Sequence, residues 1–83
     1  MRASKQVIRI QTAEDIGKAI RNSRKLGGLT LAETAGLTNV GVRFLSELEN
    51  GKPTVRLDKL LQVLSALGLQ LHLGSPVASG RGE

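Results

Sequence analysis

The chain has 83 residues, no cysteine and a single histidine, His72. A domain this small buries only about 60% of its unfolded surface; disulfides, thiolate metal ligands, a catalytic thiol and a one-histidine zinc site are excluded, which leaves oligomerisation as the leading supplement to a small core. Twelve Lys and Arg against seven Asp and Glu give a net charge of +5, which points to nucleic acid or simply to solubility, and with Phe44 the only aromatic residue a single strand finds no stacking platform, so any nucleic-acid partner is expected to be duplex.

Residues 1–11 read as an N-terminal arm whose alternating Gln6–Ile10 is a short strand or an ordered extension. No apolar core of a signal peptide follows the basic start and no apolar run is long enough for a bilayer, so no membrane partner and a cytoplasmic location are expected. Thr12 and Asp15 form a capping box that opens a first helix, ended near Leu26 by Gly27-Gly28. At about 100° per residue, Ile16, Ala19, Ile20, Ser23 and Leu26 share an apolar arc, with Lys18, Arg21 and Lys25 opposite and Arg24 at the border. Thr30 and Glu33 make a second capping box, opening a helix that ends near Thr38, where Asn39 tolerates a left-handed backbone. Gly36 weakens this helix by about 1 kcal/mol relative to Ala. A third helix over 42–49 turns Leu45 and Leu48 inward and Arg43, Ser46 and Glu47 outward; Glu49 falls on the inner side, where a carboxylate must find a cation. After Lys52-Pro53, Thr54 is expected to cap a fourth helix running to about Leu67, with Leu57, Leu60, Leu61, Leu64 and Leu67 on its apolar arc, widened by Val63, and Gly68 as its stop. Residues 69–73 alternate as a half-buried strand does, and 74–83 form a Gly- and Ser-rich tail expected to be disordered.

The second and third helices, joined by a tight turn, have the spacing of a helix-turn-helix unit. Ala35 is small where the third helix must cross closely, Asn39 supplies the turn, and Val40, Leu45 and Leu48 fill the angle between the helices. That arrangement points the start of the third helix outward, toward a major groove; an ordinary helical hairpin is the plainer alternative. Thr30–Ala35, Asn39–Gly41 and Phe44–Lys52 resemble the phage-repressor, or XRE, class of helix-turn-helix regulators, and Val40–Glu49 followed by Gly51–Thr54 is similar to HipB-type antitoxins. The likeness spans about residues 12–73. It implies a mainly α, four- to five-helix, lambda-repressor-like domain over 12–68. A short C-terminal dimerisation strand at 69–73, with the N-terminal strand as an option, would build a small dimer sheet. The chain also departs from the pattern: Leu31 replaces a common phosphate-reaching Gln, Asn39 the turn Gly, Gly41 a hydroxyl cap, and Thr34 a Leu, which should loosen the second helix.

On this reading Arg43 is the best base-reading residue, because Arg bonds O6 and N7 of guanine bidentately; a solvated surface Arg is the plain alternative. Ser46, one turn on, can reach a base edge or a phosphate, Val42 is placed to touch a thymine methyl although its projection also fits the core, Gly41 lets the backbone approach, and Glu47 either accepts from a cytosine amine or, the plainer reading, is solvated or orients Arg43. Thr30, at a helix N-terminus, and Lys25 are phosphate candidates, and Asn50 and Lys52 resemble family phosphate contacts. The resemblance also implies a structural ion pair between Arg24 and Glu49. His72 receives no chemistry.

A lone five-residue strand needs a partner, either the N-terminal segment or a second chain. The resemblance favours a homodimer held through Leu64, Leu67, Leu69, Leu71 and Leu73, reading an inverted-repeat operator. The expected function is a sequence-specific duplex-DNA-binding repressor, the autoregulating antitoxin of a HipA-like kinase toxin. The alternatives are an XRE regulator without a toxin, and an interaction antitoxin in which DNA is secondary. No enzyme, cofactor or metal is expected, since no catalytic constellation is present.

Overall fold

The computed structural model describes residues 7–75. Four helices follow one another: α1 (Ala13–Leu26), α2 (Leu31–Thr38), α3 (Val42–Glu49) and α4 (Leu57–Ala66). Residues 1–6 of the N-terminal arm, Gln6 among them, and the tail from residue 76 lie outside the described residues.

Local chemistry sets most of the boundaries. Both predicted capping boxes are present. The Thr12 hydroxyl accepts from the Asp15 amide at 3.1 Å while the Asp15 carboxylate accepts from the Thr12 amide; Thr30 and Glu33 repeat the exchange at 3.0 and 2.8 Å. The amide of Gln11, donating to the Asp15 carboxylate, holds that carboxyl below its usual pKa. All four helices end in one way. The amide five residues on from a carbonyl near the helix end bonds back to it, in the pairs Leu29 to Arg24, Val40 to Ala35, Lys52 to Glu47 and Leu69 to Leu64. A left-handed residue precedes each of those amides: Gly28, Asn39, Gly51 and Gly68.

Ile20, Ala35, Leu45, Leu48, Leu60, Val63 and Leu64 form the buried core, with Ile16, Leu31, Val40, Phe44, Val55, Leu67 and Leu69 packed around it. Thr34 and Thr38 share that interior. The Thr38 hydroxyl donates to the Thr34 carbonyl at 2.8 Å, whereas the Thr34 hydroxyl meets no partner among the described residues. An unpaired buried hydroxyl costs about 1–3 kcal/mol, and this one sits where the resemblance expects a Leu.

Four expectations are corrected. α4 begins at Leu57 with Arg56 as N-cap, not at Thr54, because Val55 packs onto the core from outside the helix and Arg56 pairs with Asp58 in the first turn at 2.6 Å. Leu26, at the last position of α1, is 88% exposed, whereas Leu29 beyond the exit turn is half-buried. Residues 69–73 belong to no strand, nor do residues 7–10. A strand exists by pairing, these two segments do not pair with each other, and the described residues offer 69–73 no other edge. Leu64, expected at a dimer surface, is buried in the chain's own core.

The sequence reading gave no role to Gly17, yet it positions α3. A Cβ at Gly17 would lie 2.5 Å from the Leu48 carbonyl oxygen and 2.6 Å from that of Glu49. The backbones of α1 and the end of α3 therefore touch, which only glycine allows. Gly51, at φ 83°, lies equally close to Glu14: its Cβ would come 2.6 Å from the Glu14 Cγ.

Candidate nucleic-acid interface

The third helix has two contrasting faces. Leu45 and Leu48 are buried. On the other side the Arg43 side chain is 92% exposed, Val42 is exposed, and Ser46 and Glu47 are half-buried. Gly41 is the N-cap and makes no side-chain bond to the helix.

Glu47 stands between two cations. Its carboxylate accepts from Lys52 Nζ at 3.3 Å and lies 3.6 Å from Arg43 Nε, one turn back. A base-reading candidate and a phosphate candidate are thus tied to one half-buried surface carboxylate, and each such solvent-accessible pair contributes about 0–1 kcal/mol. That is weak enough for a duplex to take either cation over.

Beneath this face lies a buried polar junction. The Glu49 side chain is 2% exposed. Arg24 grips it bidentately, Nε to Oε2 at 2.7 Å and Nη2 to Oε1 at 2.8 Å, while Nη1 donates to the Leu29 carbonyl at 3.0 Å. The carboxylate raises the Arg24 pKa above its already high ordinary value. One guanidinium therefore joins α1, the end of α3 and the loop leading to α2. Arg21, which the helical projection turned to solvent, reaches the same carboxylate at 3.4 Å and donates to Asn50 Oδ1 at 3.2 Å.

The turn between α2 and α3 is held from α4. Gln62 Nε2 donates to the carbonyls of Thr38 and Asn39 at 2.9 and 3.0 Å, satisfying two acceptors at the end of α2 that the helix itself leaves open. No sequence signal marked Gln62, since it flanks the apolar arc like any solvated residue. Lys59 Nζ lies 6.0 Å from the centre of the Phe44 ring, a second link from α4 to α3.

The other site candidates are dispersed. Thr30 caps α2 and Lys25 lies exposed in the last turn of α1. Asn50 and Lys52 follow α3 directly. Of the dimerisation candidates, Leu67 and Leu69 are half-buried, whereas Leu71 and Leu73 are exposed, as are Leu57 and Leu61 on α4. A groove of about 240 Å³ runs along this edge between Leu61, Leu64, Ser65, Leu69 and Leu71. No helix among the described residues is long and apolar enough to cross a membrane.

Residues 20–73 match the family model HTH_3, helix-turn-helix. An uncharacterized HTH-type transcriptional regulator, y4mF, of Sinorhizobium fredii (strain NBRC 101917 / NGR234) is 46% identical over 68 residues, which cover 82% of this chain and 90% of that protein. Among solved structures, HipB in a complex with an O2 20mer superposes with a TM-score of 0.75 at 24% identity, over 89% of this chain and all of that one (100%). A chain of a HipA-HipB-O2-O3 complex gives 0.74 at 22% identity, over 83% and 97%. The clp gene regulator ClgR from C. glutamicum gives 0.62 at 37% identity, over 75% and 80%. At their identities the two HipB likenesses are likenesses of fold.

Proposed function

The chain belongs to the helix-turn-helix family, and from that premise we propose that it is a sequence-specific duplex-DNA-binding repressor that acts as a homodimer on an inverted-repeat operator. The observation that carries this reading is the asymmetry of α3, whose inner leucines are closed into the core while Arg43 stands almost wholly in solvent. A helix anchored on one side with a solvent-exposed guanidinium on the other can enter a major groove without unfolding anything. Gly41, Val42, Arg43, Ser46 and Glu47 are the proposed base-facing residues, and Lys25, Thr30, Asn50 and Lys52 the proposed phosphate contacts. Glu47 holds Arg43 in place until a guanine replaces it.

Residues 69–73 are the proposed dimerisation segment, pairing with the same segment of a second copy. The exposure of Leu71 and Leu73 beside the open groove supports this. The fold likeness to HipB supports a narrower role, the antitoxin of a HipA-like kinase module encoded by an adjacent gene and active in the cytoplasm. Co-purification with the product of the neighbouring reading frame tests that role by itself.

Binding to the DNA upstream of the chain's own gene, competed by mixed-sequence duplex, tests the main reading. Arg43→Ala is expected to reduce discrimination between operator and competitor by about 1–3 kcal/mol and to spare stability. Wild-type binding that is equally tight on both duplexes would overturn operator reading.

A further inference from the structure

The junction between α1 and α3 holds one cation more than its carboxylate requires. Arg24 alone closes both oxygens of Glu49, at 2.7 and 2.8 Å. Arg21 reaches that carboxylate only at 3.4 Å, and its side chain is 44% exposed against 12% for Arg24. Two guanidiniums against one carboxylate leave an excess positive charge, and the excess resides on the member open to solvent.

Arg21 also organises Asn50. Its Nη2 donates to Asn50 Oδ1 at 3.2 Å, so the amide oxygen is engaged and the amide nitrogen keeps its two protons to donate. Arg21 itself carries five N–H donors, of which the bonds to Glu49 and Asn50 use two. A guanidinium and a primary amide side by side, both with donors to spare and the amide oxygen already turned toward Arg21, make a surface that an oxyanion fits.

Its place on the fold says which oxyanion. Arg43, Ser46 or Glu47, and Asn50 recur at the spacing of one helical face, and the Asn50 amide continues the turn by donating to the Ser46 carbonyl at 3.0 Å. The pair thus closes the far end of the stripe that Arg43 begins. We infer that Arg21 and Asn50 form a clamp for one backbone phosphate of the duplex, with Arg21, on α1 and outside the helix-turn-helix unit, supplying the charge and Asn50 a neutral donor. The inference rests on the DNA-binding reading above. Because a phosphate is the same on every nucleotide, the clamp adds affinity and register without sequence preference.

A purely structural Arg21 would act on stability and leave the salt dependence alone, so the deciding measurement is fluorescence anisotropy of the full-length chain on a labelled mixed-sequence duplex, titrated between about 50 and about 200 mM salt. In Arg21→Gln the slope of log affinity against log salt is expected to fall in magnitude by about 0.9, with affinity down on the order of tenfold near 0.1 M; Arg21→Lys retains the slope. Asn50→Asp, which leaves Arg21 and the buried pair untouched, is expected to lower the slope as well, because its carboxylate neutralises Arg21 in place. Asn50→Ala weakens binding in the wild-type background and has no further effect on top of Arg21→Gln. A wild-type slope in both Arg21→Gln and Asn50→Asp overturns the clamp, whatever happens to the melting temperature, while leaving the DNA-binding reading intact. A wild-type chain that binds no duplex at any salt overturns that reading itself, and the clamp with it.

Discussion

Two edges of the same core are finished in opposite ways. Along the seam between α1 and α3, glycines at 17 and 51 let the backbones touch, and the buried Glu49 carboxylate is held by two arginines. Along α4 and the segment after it, Leu57, Leu61, Leu71 and Leu73 face solvent, and Leu61 and Leu71 line an open groove. The seam needs nothing that one chain does not supply. The far edge leaves apolar side chains uncovered and a segment without a ladder, which is the condition of a surface built for a second copy. The face proposed for DNA belongs to the closed side, so in the proposed dimer each copy would present α3 already set by its own core, and the spacing between the two helices would be left to the open edge.

Breaking the seam should produce the largest effect. Arg24→Ala strands a buried carboxylate, with only the longer Arg21 contact remaining, and is expected to cost about 3–5 kcal/mol in chemical denaturation. Replacing both partners, Arg24→Met with Glu49→Leu, is expected to cost clearly less than Arg24→Ala alone. If the single and double variants denature alike, the junction contributes by shape and not by charge. Gly17→Ala should cost about 1–3 kcal/mol, since its methyl meets main-chain oxygens that cannot swing aside; a variant as stable as wild type would show that α1 and α3 can part without penalty. Leu71→Asp sharpens the contrast from the other edge. It should leave secondary structure intact while weakening self-association by about tenfold or more, read by sedimentation equilibrium, and a wild-type chain that stays monomeric at every concentration would remove the proposed interface.

How legible each region is in the sequence follows from how local its chemistry is. The capping boxes at Thr12 and Thr30 and the left-handed Asn39 are decided by neighbours a few residues away, and they stand where the pattern places them. Leu45 and Leu48 follow from a short apolar period on a helix. Gly17 does not, because a glycine within a helix reads only as a weak helix former until another backbone is laid against it. The projection assigns Arg21 to solvent correctly as far as its exposed half goes, but a long guanidinium can reach across to a carboxylate on another helix. Gln62 is invisible for the same reason, its two acceptors lying at the end of α2. Thr54 has the residue type of a cap, and packing of Val55 overrides it. The strand at 69–73 is a statement about two edges, and one chain has only its own.

The turn that ends α3 also bears on the chemical ageing of the molecule. In an Asn-Gly dipeptide such as Asn50-Gly51 the glycine nitrogen readily attacks the preceding side-chain amide carbonyl, expelling ammonia and closing a succinimide that water reopens as aspartate or isoaspartate. In this fold that nitrogen donates to the Leu48 carbonyl at 3.1 Å, and Gly51 is fixed at φ 83° against Glu14. Ring closure must wait until the last turn of the helix frays, so the shelf life of Asn50 is set by how firmly that turn stays wound.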